Sequence, residues 1–260
     1  MKSRVIRNIK APHQLARKVW NYMLHSQKLT SADADYWQSI KNSQKGHRGF
    51  VIGNGPSLTM SDLDALVDEV SIASNKIYLA FDKTAWRPTY YTVADPLVWD
   101  KVQGEAQRIF EKIHIPTYLK RSIPSQEIYW RAQYMGLPRR FCADLSVGAV
   151  SGQTVTFENI QLAVHLGLNP IYIIGCDHSY PGESNVTAGV PITQRSTQSH
   201  FVKNYRAPGE KVLPASIIDM EAAYREARRY CEKNNIEIFN ATRGGKLEIF
   251  QRANLDEIIS

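Results

Sequence analysis

The sequence predicts an α/β fold in which a mostly parallel sheet carries helices on both faces. From residue 49 onward, short apolar segments alternate with helical patterns, and glycine or polar residues follow several of the apolar segments. This alternation is typical of parallel strands joined by crossover helices. The predicted strands cover residues 50–52, 70–73, 89–93, 116–119, 140–143, 171–175 and 237–239. The predicted helices cover about 61–68, 97–113, 153–167, 217–234 and 254–259.

Residues 1–47 precede this pattern and are expected to form a basic, helical N-terminal extension of a main domain at 48–260. Apolar residues recur there at helical spacing, at Leu15, Val19, Tyr22 and Met23 and again at Tyr36, Trp37 and Ile40. The basic residues are Lys2, Arg4, Arg7, Lys10, Arg17 and Lys18. We expect the extension to pack on the main domain or to form a dimer contact. The alternative is an electrostatic contact with an anionic membrane surface.

The first predicted strand leads directly into GNGPSL, which contributes Gly53, Asn54, Gly55 and Ser57. Glycines permit close approach of the backbone, and amide groups beyond a strand can face phosphate oxygens. The segment is neither a Walker A loop nor a complete dinucleotide-binding fingerprint. The loop therefore predicts a ligand at this strand end, with a simple tight turn as the alternative.

Polar residues also follow the later elements. The second strand, in SIASN, ends at Asn75, and the third, in YYTVAD, ends at Asp95. Ser151 and Gly152 precede the helical pattern GQTVTFENIQLAVHLG, whose first-turn amides offer an anion site. The strand PIYIIGC leads into Asp177 and His178. Because ligands bind outside the carboxyl ends of parallel strands, we expect these residues to form one ligand-binding rim.

Residues from about 177 to 216 interrupt the alternation with a long stretch rich in Ser, Thr, Gly and Pro. Irregular segments of this length are uncommon in compact domains and are usually functional. We interpret the segment as a lid over the rim. After the last predicted strand, IFNATRGGKLEIF suggests a turn near the same rim or a turn that closes the domain.

Composition excludes several other classes of protein. The 260 residues carry a net charge of +7, which fits a phosphate-bearing ligand or an anionic surface, and no basic-aromatic motif indicates nucleic acid. The three cysteines show no C-x-x-C spacing, so neither a disulfide framework nor a zinc site is indicated. Two D-x-D pairs, Asp33/Asp35 and Asp62/Asp64, fall on helical stretches and are interpreted as surface carboxylates. We find no signal peptide and no membrane span, so we expect a cytoplasmic protein, with peripheral contact at the inner face of the membrane as an option for the N-terminus.

The order of GNGPSL, Asn75 and VSGQTVTFENIQLAVHLGLNPIYIIGCDHSY resembles the bacterial sialyltransferases of glycosyltransferase family 42. It is also similar to the domain shared by motility-associated nonulosonic-acid transferases and archaeal-type hydroxymethylpterin diphosphokinases. The resemblance covers roughly residues 49–250. It implies a single Rossmann-like domain with a lid and no metal or other cofactor. It also implies that Gly53, Asn54, Ser57, Asn75, Ser151 and Gly152 line the pocket of a cytidine-monophosphate sugar.

The resemblance further suggests catalytic roles. Histidine suits a general base because its unperturbed pKa is near 6.5. Of the seven histidines, only His178 and His200 fall in the lid, and His200 resembles by position the lid histidine that acts as base in the sialyltransferases. Tyr180 and Tyr205 are candidates to hydrogen-bond the departing phosphate. Asp95 stands where those enzymes place an asparagine, and Gly55, Asp177 and His178 complete the expected donor site.

Three functions follow from these expectations. The first is a metal-independent glycosyltransferase that uses a nucleotide-activated sugar, such as a CMP-linked nonulosonic acid, and a glycan or lipid-linked acceptor in bacterial surface glycan synthesis. The second is a pterin-type pyrophosphokinase that would need ATP and Mg²⁺, with Asp95 and Asp177 as candidate ligands. The third is a nucleotide-binding protein without turnover. A homo-oligomer is compatible with each of them.

Overall fold

The computed structural model describes residues 30–116, 129–132, 140–180, 192–193, 200–203, 205–207, 209–212 and 216–260. The basic residues of the N-terminal extension, residues 117–119 of one predicted strand and much of the predicted lid lie outside these ranges. The helices are α1 Ser31–Ile40, α2 Met60–Asp64, α3 Pro96–Ile109, α4 Val155–Leu166, α5 Ile217–Lys233 and α6 Leu255–Ile258, with a short 3-10 helix at Ile77–Ala80. The strands are β1 Gly49–Ile52, β2 Val70–Ser74, β3 Tyr90–Thr92, β4 Ile113–Pro116, β5 Tyr129–Ala132, β6 Ile171–Ile174, β7 Ile192–Thr193, β8 Lys211–Val212, β9 Ile238–Asn240 and β10 Gln251–Arg252.

Eight of the strands form one parallel sheet in the order β10-β9-β6-β1-β2-β3-β4-β5. The order runs outward from β1 in both directions, so the chain changes direction of travel between β1 and β6. The two short strands β7 and β8 pair antiparallel with each other, apart from the sheet. The sequence-based prediction of a mostly parallel, Rossmann-like sheet is confirmed.

Helices cover both faces of the sheet because strand residues alternate between two cores. Val51 faces one core with Trp37, Phe157 and Tyr224, so α1, α4 and α5 cover that side. Its neighbour Phe50 faces the other core, where α2, α3 and α6 pack. Burial of apolar surface on both faces is the main favourable contribution to such a fold.

Helix α1 lies within the predicted N-terminal extension and packs on the sheet. Thr30 caps it in a capping box with Asp33, and the side chain of Trp37 is 1% exposed. Two buried histidines of the main domain hold it in place: the Tyr36 hydroxyl lies 2.7 Å from His114 Nε2, and the Trp37 carbonyl lies 2.8 Å from His165 Nε2. Residues 30–40 therefore share the core of the sheet.

Several local predictions were wrong, including that of helix α2, which ends at Asp64 instead of 68. Helix α3 ends at Ile109 instead of 113, and the following strand is β4 at Ile113–Pro116. No strand forms at 140–143 in the described chain, because the buried Gln161 side chain accepts from the amides of Cys142 and Val150 in place of a neighbouring strand. Strand β5 was not predicted at all.

The interpretation of the D-x-D pairs as surface carboxylates holds for Asp35 and Asp64 and is wrong for their partners. Asp33 and Asp62 are 3% and 2% exposed. Each occupies the third position of its helix and accepts from the backbone amide of the capping threonine. Buried carboxylates of this kind satisfy amides that a helix leaves unpaired at its N-terminus.

Within the described residues, no helix has the length and apolar character to cross a membrane.

Candidate active site at the β1–β6 switch point

A cleft opens at the carboxyl ends of β1, β2 and β6, where the strand order changes direction. Ligands of open parallel sheets bind at such switch points. Of the residues predicted from the sequence, nine line the cleft: Gly53, Asn54, Gly55, Asn75, Asp177, His178, Tyr180, His200 and Tyr205. It has a volume of about 140 Å³. The structure thus brings most of the predicted rim together.

The glycines of GNGPSL allow the β1 loop to lie directly against the β6 loop. The Gly53 amide donates to Ile174 O and the Gly55 amide to Gly175 O, both at 2.8 Å. A Cβ on Gly53 would lie 2.3 Å from the Gly175 carbonyl oxygen. Close approach of backbone was expected here, and its partner within the chain is the second loop of the cleft. These two amides are therefore occupied by carbonyl groups of the protein.

Asp177 joins the same two loops through its carboxylate. Oδ2 accepts from the Ser57 hydroxyl at 2.8 Å and lies 3.4 Å from the Ser57 amide. A Cβ on Gly55 would lie 1.8 Å from that oxygen, so only glycine fits there. The Lys246 amide donates to Asp177 O at 2.8 Å. The turn after β9 therefore does lie at the rim, and Ser57 acts behind the cleft, through Asp177.

Two asparagine side chains carry buried acceptors that have no partner among the described residues. Asn54 Nδ2 donates to Ser74 O at 3.2 Å, which orients Oδ1 the other way, and Asn54 Oδ1 is unpaired. Asn75 adopts φ 58°, and Asn75 Oδ1 is unpaired as well. A buried polar atom without a hydrogen bond is costly, and a donor group of a ligand would satisfy it.

The N-terminus of α4 forms another wall of the cleft. Val155 and Thr156 line the cleft, and the positive end of the α4 dipole favours an anion there, although the Thr156 amide already donates to Thr154 Oγ1 at 3.3 Å. The Ser151 hydroxyl hydrogen-bonds the Glu158 carboxyl, whose pKa is raised by burial to about 8, an effect that the hydroxyl opposes. A carboxyl that is protonated near neutral pH does not repel a phosphate at this helix end.

Three predicted site residues lie outside the lining of the cleft besides Ser57. Gly152 packs under α4, where a Cβ would lie 2.5 Å from the Phe157 ring. Ser151 stands beside it and bonds Glu158. Asp95 caps α3, since Oδ1 accepts from the Leu97 amide at 2.7 Å.

His178 lies buried in the cleft beside a carboxylate. Its backbone has φ 52°, and Nε2 lies 3.6 Å from Glu221 Oε1 with no hydrogen bond to any described residue. Burial lowers the pKa of His178, and the charge of Glu221 opposes that shift. The rings of Tyr180 and Tyr224 meet the imidazole edge-on. The site therefore holds a largely neutral imidazole that a carboxylate can orient.

His200 also lines the cleft and stacks on Tyr205, with ring centroids 3.9 Å apart. Burial lowers the pKa of His200, and the nearby charges of Arg206 and Lys76 lower it too while Glu210 raises it, so that together they bring it to about 3. The Tyr205 hydroxyl accepts from the Lys76 amide at 3.3 Å, and burial raises the pKa of Tyr205, so its own proton stays available for donation.

The lid segment around His200 is fastened to the sheet. The Phe201 amide donates to Asn54 O at 3.1 Å. Glu210 is paired with Lys76 at 3.2 Å and with Lys101 at 2.8 Å, and its side chain is only 8% exposed. These contacts hold part of the predicted lid over the cleft.

The structure adds cleft residues that the sequence did not reveal. Tyr224 of α5 lines the cleft, and Glu221, one turn earlier on the same helix, lies next to the cleft residue His178. In the sequence, the only sign of their proximity is the three-residue spacing, which puts both on one face of a helix. That this helix lies at the cleft follows from the fold alone. Cys176 lines the cleft too, and burial raises its pKa to about 12, so it is a thiol. In the part of the chain that the structure describes, no group of three or more His, Cys, Asp or Glu residues could hold a metal ion.

Together, the parallel sheet and the cleft at its switch point define a Rossmann-like protein with a ligand site. The chain matches the family model described as 6-hydroxymethylpterin diphosphokinase MptE-like over residues 23–183. That match covers more than half of the chain, so the protein belongs to the MptE-like family. The matched region contains the β1 loop, Asn75 and His178, and it ends before His200. Comparisons with curated proteins and with solved structures gave no match.

Proposed function

We propose that the protein is a transferase that binds a nucleotide-activated sugar in the switch-point cleft and passes the sugar to a hydroxyl acceptor. The observation that carries this proposal is the pair of unpaired acceptors, Asn54 Oδ1 and Asn75 Oδ1, beside the N-terminus of α4. Two acceptors suit the exocyclic amine of a base and a ribose hydroxyl, and the helix end suits a phosphate. A CMP-linked acidic sugar of the nonulosonic class, used for a bacterial surface glycan, is the donor and pathway that we favour.

The proton and the leaving group have candidate partners in the same cleft. We propose His200 as the base that removes the acceptor proton, and Tyr180 and Tyr205 as donors to the departing phosphate. Burial is the main cause of the lowered pKa of His200, and the charges of Arg206 and Lys76 lower it further. An anionic donor bound near Arg206 and Lys76 would offset only the part of the shift that their charges cause.

Turnover of two variants tests the assignment of the base. His200→Ala should lower turnover of a CMP-sugar about 10²–10⁴-fold, the usual contribution of a general base, with little change in donor binding. If His178→Ala shows that pattern and His200→Ala does not, the base is His178, oriented by Glu221.

A diphosphokinase is the second candidate, because the description of the family names that activity. Asp177 places one carboxylate in the cleft, although Ser57 already donates to it, and Asp95 is engaged as the cap of α3. Such an enzyme would use ATP and Mg²⁺. Transfer of the sugar in the presence of EDTA supports the first function, whereas diphosphate transfer that EDTA abolishes supports the second. Nucleotide binding without either reaction would leave the non-catalytic function.

A further inference from the structure

A second cavity of about 560 Å³ lies on the outer side of the lid segment. One wall is formed by the β1 loop and the start of α2. A second wall is formed by the 3-10 helix and the residues that follow it, and a third by residues 201–203 of the lid segment. The residues that matter for its chemistry are Leu58, Met60, Leu79, Lys83, Phe201 and Lys203. Its volume falls within the range of small-molecule sites, and it is larger than the switch-point cleft.

The cavity and the switch-point cleft share a wall. His200 lines the cleft, and the next residues, Phe201 and Lys203, line the cavity. The Phe201 amide donates to Asn54 O, which fixes the wall against the β1 loop. Leu58, four residues beyond Asn54, lines the cavity. Only the backbone of residues 200–203 would therefore separate a molecule in the cavity from the cleft.

The lining of this cavity combines apolar side chains with positive charge. Met60 and Leu79 offer apolar surface, with Leu79 36% exposed, and the buried side chain of Leu58, 3% exposed, lies behind them. Lys83 and Lys203 are the two charged residues of the lining, and neither forms an ion pair with another residue in the described ranges. No carboxylate contributes to the described lining. An uncharged apolar molecule would leave both ammonium groups unused, and a fully polar anion would leave the apolar wall exposed.

We propose that this cavity binds an amphipathic anion, with an alkyl or similar apolar group against Met60 and Leu79 and a phosphate group between Lys83 and Lys203. The apolar wall gives affinity by burial, and the two lysines select the anion. If the proposed function holds, the cavity would take a part of the acceptor remote from the reacting hydroxyl, because the lid segment separates the cavity from the cleft; binding itself does not rest on that function. A chain with a phosphate end is the chemistry of a lipid-linked acceptor.

Isothermal titration calorimetry of the full chain with octyl phosphate tests the proposal. Octyl phosphate should bind saturably below its micelle-forming concentration. Octyl glucoside has the chain without the charge, and inorganic phosphate has the charge without the chain; each should bind at least about tenfold more weakly. Equal affinity for octyl glucoside would overturn the role of the lysines, and no saturable binding of octyl phosphate would overturn the proposal as a whole.

Variants locate the site. Lys83→Gln and Lys203→Gln should each weaken octyl phosphate about tenfold, and Leu79→Ser should weaken it several-fold. Lys45→Gln, at an exposed lysine elsewhere, is the control and should have no effect. Equal affinity in all four variants would place the ligand elsewhere and refute the proposal.

Titration in the presence of CMP separates this proposal from the proposed function. Octyl phosphate should bind equally well with CMP present, since the two ligands occupy different cavities. Competition would contradict a separate subsite. If octyl phosphate binds as expected and CMP does not bind at all, the cavity stands and the nucleotide-sugar function fails.

Discussion

His114 lies on β4 beneath α1, and its replacement by glutamine should remove part of the protein's sensitivity to acid. The His114 Nδ1 atom lies 3.1 Å from Tyr91 O, and Nε2 lies 2.7 Å from the Tyr36 hydroxyl. A carbonyl can only accept, so Nδ1 carries the proton and Nε2 accepts from the tyrosine. A second proton on Nε2 would break the hydrogen bond that this atom accepts, and burial lowers the pKa of His114 from 6.5 to about 4.

The sign and size of the effect follow from the two pKa values. The folded state binds fewer protons than the unfolded state, so the contribution is fully present above pH 6.5 and is lost as the pH falls toward 4. A difference of this size corresponds to about 3 kcal/mol in total and to about 2 kcal/mol at about pH 5. His165 and His178 also have lowered pKa values through burial, so they add to the same trend.

Urea unfolding at about pH 7.5 and about pH 5 isolates the contribution of His114. The wild type should lose stability between the two pH values, and His114→Gln should lose about 2 kcal/mol less. Any packing cost of glutamine is common to both pH values and cancels in the difference. His47→Gln, at an exposed histidine, is the control. An equal loss in the wild type and His114→Gln would refute a neutral, buried His114.

Two further predictions concern the rim and the lid. Gly152→Ala should lower stability by about 1–3 kcal/mol in thermal unfolding, because its Cβ would overlap the Phe157 ring, whereas Gly104→Ala, in open space on α3, should be neutral or stabilising. Equal effects would contradict the close packing under α4. Glu210→Gln should make the lid segment about fivefold more sensitive to limited proteolysis, since two lysines lose their buried partner, and Glu105→Gln at an exposed ion pair should not. An unchanged digestion rate would show that Glu210 does not fasten the lid.

The sheet could be predicted from the sequence because its central strands are short apolar segments with polar or glycine punctuation. Gly53, Asn75 and Asp177 were placed at one rim for a simple reason: carboxyl ends of parallel strands lie on the same edge. The close contact between the β1 and β6 loops could not be predicted, since it depends on the strand order. The contact of Glu221 with His178 could not be predicted either, because it depends on how α5 packs on the sheet.

At residues 140–143 and at Asp33 and Asp62, the prediction failed because a side chain takes the place of a backbone partner. Gln161 satisfies the amide of Cys142, so an apolar stretch that reads as a strand stays irregular. Asp33 and Asp62 follow a threonine by three residues, which is the spacing of a capping box and was available as a signal of burial. The role of the basic N-terminal residues, as a membrane contact or an oligomer contact, stays a prediction.

Binding of CMP in the presence of EDTA is the most direct test of the proposed nucleotide-sugar site. CMP should raise the thermal stability of the full chain without metal, by about 2.7 kcal/mol at a hundred times its dissociation constant. Asn54→Ala should reduce the binding free energy by about 1–3 kcal/mol, because the buried acceptor that CMP satisfies is removed. Gly104→Ala should bind CMP like the wild type. Stabilisation by ATP with Mg²⁺ and none by CMP would contradict the account and favour the diphosphokinase.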